Sequence, residues 1–243
     1  MSENLYLLFS YYGIKPNDTC TEIIKKTAYK SFASFCRRIS FYGSTASDDK
    51  NRIVKETNDL LSERIPQFLN AVKTENDSQE FFDMKHKELC EEMIQLFEST
   101  GELTYGIAQR WLNQTLQNLV VIDSNMSISS LPIADTKKYY HVPVEKAVLS
   151  VAASKRKDKY KNGLNIPCAP LNHDEPTVYQ MDWYSPAKTQ PFEKWEYQEY
   201  KDFQIAVRDR IKELSSKQEK VCDTPLDWSF RATLEAAEPR YSL

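Results

Sequence analysis

The stretch YGIAQRWLNQTLQNLVV occupies residues 105–121 and carries apolar side chains at helical spacing. Residues three and four apart share one face of a helix, so this spacing predicts a helix over 105–121. The leucines expected to point from it into a core are Leu112, Leu116 and Leu119. Thr100-Gly101, just before this stretch, is a stop signal for the element that precedes it.

Helical spacing continues on both sides of this stretch. It predicts helices over residues 20–39, 47–72 and 78–97 upstream, and over 145–153, 191–214 and 224–235 downstream. Thr19 is placed to cap the first of these helices, and Ser47 or Asp48 to cap the second. Pro66 is expected to break or kink that second helix, and Trp228 to pack the last helix back onto the chain.

The predicted fold class is all-α, a single globular multi-helix domain over residues 1–243. It comprises N-terminal helices over 1–100, candidate site helices over 101–163, and a long loop with C-terminal helices over 164–243. Residues 164–191 carry five prolines and are predicted to form an ordered loop. Loops of that length in a domain often serve a function.

Composition excludes several classes of protein. The 41% hydrophobic and 28% charged residues are typical of a globular protein, and 5 glycines argue against Gly-rich phosphate loops. No run of 18 apolar residues occurs and the start lacks a secretory signal, so we expect no membrane partner and a cytoplasmic location. The cysteines are scattered and odd in number, and are expected to be reduced thiols: Cys20, Cys36, Cys90, Cys168 and Cys222.

The three histidines are too few and too separated to predict a metal site, and no cofactor motif is present. His86 lies in a charged helix and is expected on a solvated face, and His173 is assigned to the surface. His141 precedes the start of a predicted helix and is kept as a candidate. The net charge is −3, so any phosphate-binding face has to be a local cluster of cations.

Polar residues interrupt the apolar 105–121 helix. Gln109 and Asn113 are four apart and share one face, with Arg110 beside them. Gly106 lets another backbone approach closely, and free amides at a helix start can bind a phosphate. Two interpretations stay open: these residues line a polar pocket, or they form a satisfied structural network.

Glu145 follows Val142-Pro143, which forces an extended approach to the next predicted helix. One interpretation is structural, because a carboxylate in the first turn complements the helix dipole by up to about 1 kcal/mol. The other is functional. Apolar neighbours then fix and desolvate the carboxylate at the mouth of a cleft, which strengthens its field on a nearby cation.

A basic run with Tyr160 inside it follows the Glu145 helix. Its cations form either a solvated surface or a phosphate-contacting face beside the carboxylate. They are Lys155, Arg156, Lys157, Lys159 and Lys161. Most aromatic residues from 179 to 200 are expected in the core, while Trp183 in the Pro-rich loop is placed to stack on a flipped base.

The segments GIAQRWLNQTLQNL (106–119) and HVPVEKAVL (141–149) together resemble the helix-hairpin-helix DNA glycosylase superfamily, and within it the archaeal 8-oxoguanine glycosylase branch. In that branch a Gln-Lys pair opens one apolar helix and a Pro-Val-Asp sequence opens another. Gln109-Arg110 falls at the position of the Gln-Lys pair, and Glu145 at that of the aspartate.

The resemblance implies a helix-hairpin-helix glycosylase-like fold and a base-excision glycosylase that flips a damaged or modified base of DNA into a pocket, without a cofactor. Arg110 replaces the family's Schiff-base lysine and is a poor nucleophile, so a monofunctional, hydrolytic enzyme is expected. Glu145 would stabilise the oxocarbenium-like sugar, with Arg110 as the second catalytic residue. The residues implied to contact the base are Gln109, Trp111, Asn113, His141 and Trp183. Those implied to contact the DNA backbone are Gly106 and the basic run. Such an enzyme would act in DNA repair or in defence against phage, and the sequence does not choose between these roles.

Two other classes of protein stay open. A catalytically inactive helical DNA-binding or protein-interaction and regulatory protein would explain the acidic balance and the missing lysine. A helical nuclease or toxin is disfavoured, because no Arg-x4-His signature is present. A glycosylase needs the basic run on the face of Glu145 beside a deep pocket, whereas an interaction protein should show an exposed apolar patch.

Overall fold

The computed structural model describes residues 3–128, 130–155, 160–166, 191–217 and 222–238. Of the residues that the structure describes, 72% are helical and 2% lie in strands, which confirms the predicted all-α class. The helices of the described residues are α1 (Glu3–Tyr12), α2 (Cys20–Ala33), α3 (Ser47–Thr74), α4 (Gln79–Phe97), α5 (Tyr105–Met126), α6 (Ile133–Thr136), α7 (Lys146–Ala153), α8 (Tyr197–Ser216) and α9 (Pro225–Ala237).

The chain divides into two compact units, Met1–Tyr140 and His141–Leu243, here called the N-terminal and C-terminal units. The boundary falls inside the segment 101–163 that the sequence assigns to the candidate site. Gln109 therefore belongs to one unit and Glu145 to the other. A single domain over residues 1–243 stays a prediction.

Helix α5 is the central element of the N-terminal unit and packs on α2 and α4. Its first nine residues, 105–113, are all buried, as expected of a helix that is covered on every side. The Thr104 side chain caps it by accepting from the Ile107 amide at 3.3 Å. The Trp111 indole N–H donates to the Ala28 carbonyl at 2.9 Å, which attaches α5 to α2.

Helices α2 and α3 show where local signals decide a helix boundary and where they fail. The predicted cap Thr19 is confirmed, because Thr19 and Glu22 form a reciprocal capping box. Helix α3 starts after Ala46, so the predicted caps Ser47 and Asp48 are wrong. Pro66 lies inside α3 without ending it. Its neighbours Ile65 and Leu69 are completely buried, so tertiary packing outweighs the hydrogen bond lost at proline.

A two-stranded antiparallel ribbon joins β1 (Ser40–Phe41) to β2 (Gly101–Glu102). Gly101 pairs with Phe41, and a Cβ atom at Gly101 would lie 2.5 Å from the Ser40 carbonyl oxygen. Only glycine allows the two backbones to approach this closely. Gly101 is thus a packing requirement as well as the stop signal seen in the sequence.

In the C-terminal unit, α7 and α8 both contact α9. Trp228 of α9 is completely buried and its indole N–H donates to the Asn162 carbonyl at 2.9 Å, as the sequence predicts for this residue. The side-chain amide of Gln204 binds both backbone groups of Val142, at 3.0 and 2.8 Å. These bonds attach the approach to α7 onto α8. Most of the predicted loop 164–191 lies outside the described residues.

Candidate functional site

Gln109 and Asn113 belong to a buried hydrogen-bonded chain that also contains His86 of α4. The Gln109 Nε2 donates to the Gly106 carbonyl at 2.7 Å, and the Asn113 Nδ2 donates to the Gln109 Oε1 at 3.0 Å. The Asn113 Oδ1 lies 2.8 Å from the His86 Nε2. All three side chains are buried, so this row of hydrogen bonds crosses the α4–α5 interface inside the core.

The Gly106 carbonyl, at the end of this row of hydrogen bonds, sets the donor and acceptor of every bond in it. The Gly106 carbonyl can only accept, so the Gln109 amide must donate to it and present Oε1 to Asn113. Asn113 then presents Oδ1 to His86, whose Nε2 must carry the proton. In the neutral tautomer the His86 Nδ1 is then an acceptor, and it lies 3.8 Å from the Cys90 Sγ. Each bond supports the next, as in a satisfied polar network.

The prediction that His86 lies on a solvated face is wrong, because this side chain is completely buried. The sequence carries a signal for this. His86 is four residues from both Phe82 and Cys90, which lie on the buried face of α4. Charged neighbours in the sequence obscure this spacing, since they occupy the opposite face.

The thiol of Cys90 is buried in the same α4–α5 interface, out of reach of solvent and reagents. Burial raises the pKa of the Cys90 thiol strongly, and a hydrogen bond from the Tyr105 side chain lowers it by less. The thiolate is the reactive form of cysteine. Cys90 is therefore a core residue and a poor nucleophile.

The other predicted residues of α5 also lie in the core. Trp111 is completely buried, and its ring centroid lies 4.9 Å from that of Phe32. The Arg110 guanidinium carbon lies 5.4 Å from the centroid of the Phe35 ring, in a cation–π contact. Gly106 is buried as well, and its carbonyl is engaged by Gln109. Of the two interpretations of this helix, these contacts favour the satisfied structural network.

His141 and Glu145 lie in the C-terminal unit. His141 is buried, and its Nδ1 lies 2.6 Å from the Tyr200 hydroxyl of α8. Glu145 is half-buried and stands at the N-cap of α7 with an extended backbone. Val142 and Val144 before it are completely buried. The predicted apolar, extended approach to the carboxylate is therefore present.

The basic run is only partly described. Lys155 and Lys161 are exposed, and the backbone N–H of Lys161 donates to the Glu235 carboxylate of α9. Tyr160, which the sequence places among these cations, is buried. The predicted site residues outside the described residues are Arg156, Lys157, Lys159 and Trp183.

The structure thus brings Gln109 and Asn113 together with a third residue, His86, inside the N-terminal unit. It places His141 and Glu145 in the C-terminal unit, so a joint site of Gln109 and Glu145 stays a prediction. Among the described residues, no group of three or more His, Cys, Asp or Glu side chains could hold a metal ion. No helix of these residues is long and apolar enough to cross a membrane.

A surface that the sequence predictions missed lies on α1 and α2. Four large side chains there are mostly exposed: Tyr6 at 63%, Leu7 at 66%, Tyr11 at 60% and Tyr29 at 59%. We call these four residues the tyrosine surface. The Lys30 ammonium lies 3.9 Å from the centroid of the Tyr11 ring, which joins the α1 and α2 parts of this surface.

The signal for this surface is the N-terminal stretch LYLLFSYY, residues 5–12, in which no charge separates the apolar residues. A helix with apolar residues all round is usually covered on all sides. Here α1 is covered on only one side, where Phe9 is buried, and Leu7 on another side is exposed to solvent.

A shallow cleft of about 240 Å³ lies between α3 and α4. Charged side chains line its rim, including Arg64 and Glu92, which form an ion pair at 2.9 Å. Sites for small molecules usually measure about 300–1,000 Å³ and are mostly apolar. This cleft therefore does not stand out as a ligand site.

Comparisons of the chain with family models, with curated proteins and with solved structures found no match. Within the part of the chain that the structure describes, the features that remain as candidates for function are the tyrosine surface of the N-terminal unit and the Glu145 carboxylate of the C-terminal unit.

Proposed function

We propose that this chain is a protein-interaction protein that binds its partner through the tyrosine surface. The exposure of Tyr6, Leu7, Tyr11 and Tyr29 carries this proposal. An aromatic side chain can bury about 150–250 Å², so these four exposed fractions leave about 500 Å² of largely apolar area in contact with water. Patches of this size on monomers are often functional.

Tyrosine suits such a surface for a physical reason. Its ring supplies a large contact area but loses little conformational freedom on binding, and its hydroxyl tolerates water when the partner is absent. A surface with three exposed tyrosines is therefore compatible with both a free and a bound state.

The interior of α5 supports the same proposal. The polar groups of Gln109 and Asn113 bind each other, Gly106 and His86. A substrate that bound to these groups would break their buried hydrogen bonds. Each buried donor or acceptor that loses its partner in this way costs about 1–3 kcal/mol of free energy. The functional surface is then better sought outside this helix interface.

The test places a photo-crosslinking amino acid at Tyr6 or Tyr11 of the full chain in its source cells. A matched control carries it at Leu234 of α9, which is 71% exposed. We expect one protein, identified by mass spectrometry, to be linked from Tyr6 and Tyr11 and not from Leu234. That protein should then bind the purified chain and lose affinity when Tyr11 is replaced by Ser. No adduct, or equal adducts from all positions, contradicts the proposal.

We also propose a second candidate function, DNA base excision at Glu145. The half-buried carboxylate at the start of α7, preceded by the buried Val142 and Val144, supports it. As the base leaves with the electrons of the N-glycosidic bond, the sugar C1′ becomes cationic. Glu145 would stabilise that charge and take a proton from the water that adds to C1′.

This second candidate is tested with DNA containing normal, damaged and hypermodified bases, assayed for alkali-labile abasic sites. We expect cleavage by the wild type and its loss in Glu145→Gln. Glu196 is a matched control, since it is the N-cap residue of α8 in the same unit and Glu196→Gln should retain activity. Cleavage of no substrate, or equal cleavage by Glu145→Gln, removes this mechanism. A covalent adduct trapped with borohydride would show a lysine nucleophile instead.

A further inference from the structure

The exposed face of α1 is one continuous arc. Successive residues of an α-helix are about 100° apart, so Tyr6, Leu7, Ser10 and Tyr11 fall within roughly 140° of each other. All four are exposed, whereas Phe9 on the opposite side is buried. The small side chain of Ser10 lies inside the arc and leaves room for a second backbone to approach.

The two ends of this arc carry opposite charges. Glu3, in the first turn, is the only charged residue of α1. At the other end the Lys30 ammonium sits over the Tyr11 ring at 3.9 Å. Tyr11 comes eight positions after Glu3, which is about 12 Å along the helix axis. Leu7 lies midway between them.

We propose that the partner of the tyrosine surface is a second copy of this chain, bound with the two α1 helices antiparallel around a twofold axis near Leu7. This inference rests on the proposed interaction function. The antiparallel arrangement places Glu3 of each copy opposite Lys30 of the other. The same charge pair then forms twice, so the surface is self-complementary, as a twofold interface requires. This arrangement also aligns the helix dipoles favourably.

The area of the surface agrees with this partner and with a weak dimer. Two copies of about 500 Å² bury about 1,000 Å², the lower limit of specific interfaces. A nucleic acid is disfavoured, because strong binding needs several cations along a phosphate track, and this surface combines Lys30 with the acidic Glu3. The negative Glu3 of α1 and the positive Lys30 of α2, at opposite ends of the surface, match those of a second copy instead.

The first experiment is sedimentation velocity of the full chain from about 1 to 500 µM, concentrations at which weak association with a micromolar dissociation constant is detected. We expect a monomer–dimer equilibrium, weakened at least about 10-fold by Leu7→Asp, because a carboxylate then lies at the axis of both copies. The matched control Leu234→Asp replaces a similarly exposed leucine of α9 and should leave the equilibrium unchanged. Circular dichroism checks that each variant is folded. Tyr11→Ser serves as a second variant at the same interface.

A charge exchange then tests the antiparallel arrangement. Glu3→Lys and Lys30→Glu should each weaken the dimer about 3-fold, as expected for exposed charge pairs. The double variant should return to within about 2-fold of the wild type, because the opposite charges face each other again. A double variant as weak as the single ones overturns the arrangement.

The outcomes separate this inference from the function on which it rests. A chain that stays monomeric over the whole range, or a dimer that Leu7→Asp does not weaken, overturns the second copy as the partner. If crosslinks from Tyr6 then identify a different protein, the interaction function stands without the dimer. Crosslinks sensitive to nuclease, or no crosslinks at all, overturn both.

Discussion

Replacing Asn113 by alanine tests whether the polar residues of α5 serve the fold or a ligand. In the structure Asn113 joins His86 to Gln109 through two bonds, of 2.8 and 3.0 Å. Its loss leaves the His86 Nε2–H and the Gln109 Oε1 buried without these partners. Each unsatisfied group costs about 1–3 kcal/mol, so we expect the free energy of unfolding to fall by about 3 kcal/mol. That is a large part of the roughly 5–15 kcal/mol typical of a protein.

Asn118 provides the matched control on the same helix. It is half-buried, and its Nδ2 donates to the Ser31 Oγ at 3.1 Å. Water can replace that bond, so Asn118→Ala should cost about 1 kcal/mol or less. Urea unfolding followed by circular dichroism measures both values. Hydrogen exchange of the α4 and α5 amides shows whether the loss is confined to their interface.

A ligand-binding role predicts the opposite result. Residues kept for binding often cost stability, and their removal leaves the free energy of unfolding unchanged or raises it. If Asn113→Ala loses no more stability than Asn118→Ala, the satisfied structural network is refuted. The polar-pocket interpretation of α5 would then be restored.

Three further predictions address other contacts. Gly101→Ala should lower the free energy of unfolding by about 2 kcal/mol, because the new Cβ meets a backbone oxygen at 2.5 Å, while Gly43→Ala, with open space around it, should change it little. Hydrogen bonds, first that from Lys217, lower the pKa of Glu213 from 4.5 to about 2. The ionised carboxylate therefore stabilises the folded state, and Glu213→Gln should lower the free energy of unfolding most at neutral pH. This difference between wild type and variant should disappear as pH falls from about 4.5 towards 2. A difference that persists at pH 2 would contradict this assignment. Thiol reagents should label Cys90 only as the protein unfolds, and rapid labelling of Cys90 in the native state would show that it is not shielded.

Much of the secondary structure could be predicted from local patterns. The 3.6-residue spacing over 105–121 predicts α5, and Thr19 predicts the start of α2, because a helix face and an N-cap depend only on residues a few positions apart. Pro66 shows the limit of such patterns. The cost of a proline in α3 is local, but the packing of Ile65 and Leu69 that outweighs it comes from other helices.

The candidate site divides in the same way. The sequence indicates that Gln109 and Asn113 share a face, since they lie one turn apart, and that a rigid apolar segment leads to Glu145. It does not indicate that His86 completes the chain of hydrogen bonds, because that pairing joins residues 27 positions apart. The polar pocket and the structural network have the same local pattern, and only the partner across the interface distinguishes them.

The amino-acid sequence by itself determined that this chain is helical, where most helices lie, and which side chains share a face. Tertiary structure alone decided which of those faces are covered. It buried His86 and Trp111, and it left Tyr6 and Leu7 of the apolar helix α1 in contact with water. Helical periodicity is set by backbone geometry over a few residues, whereas burial depends on which distant segments pack together.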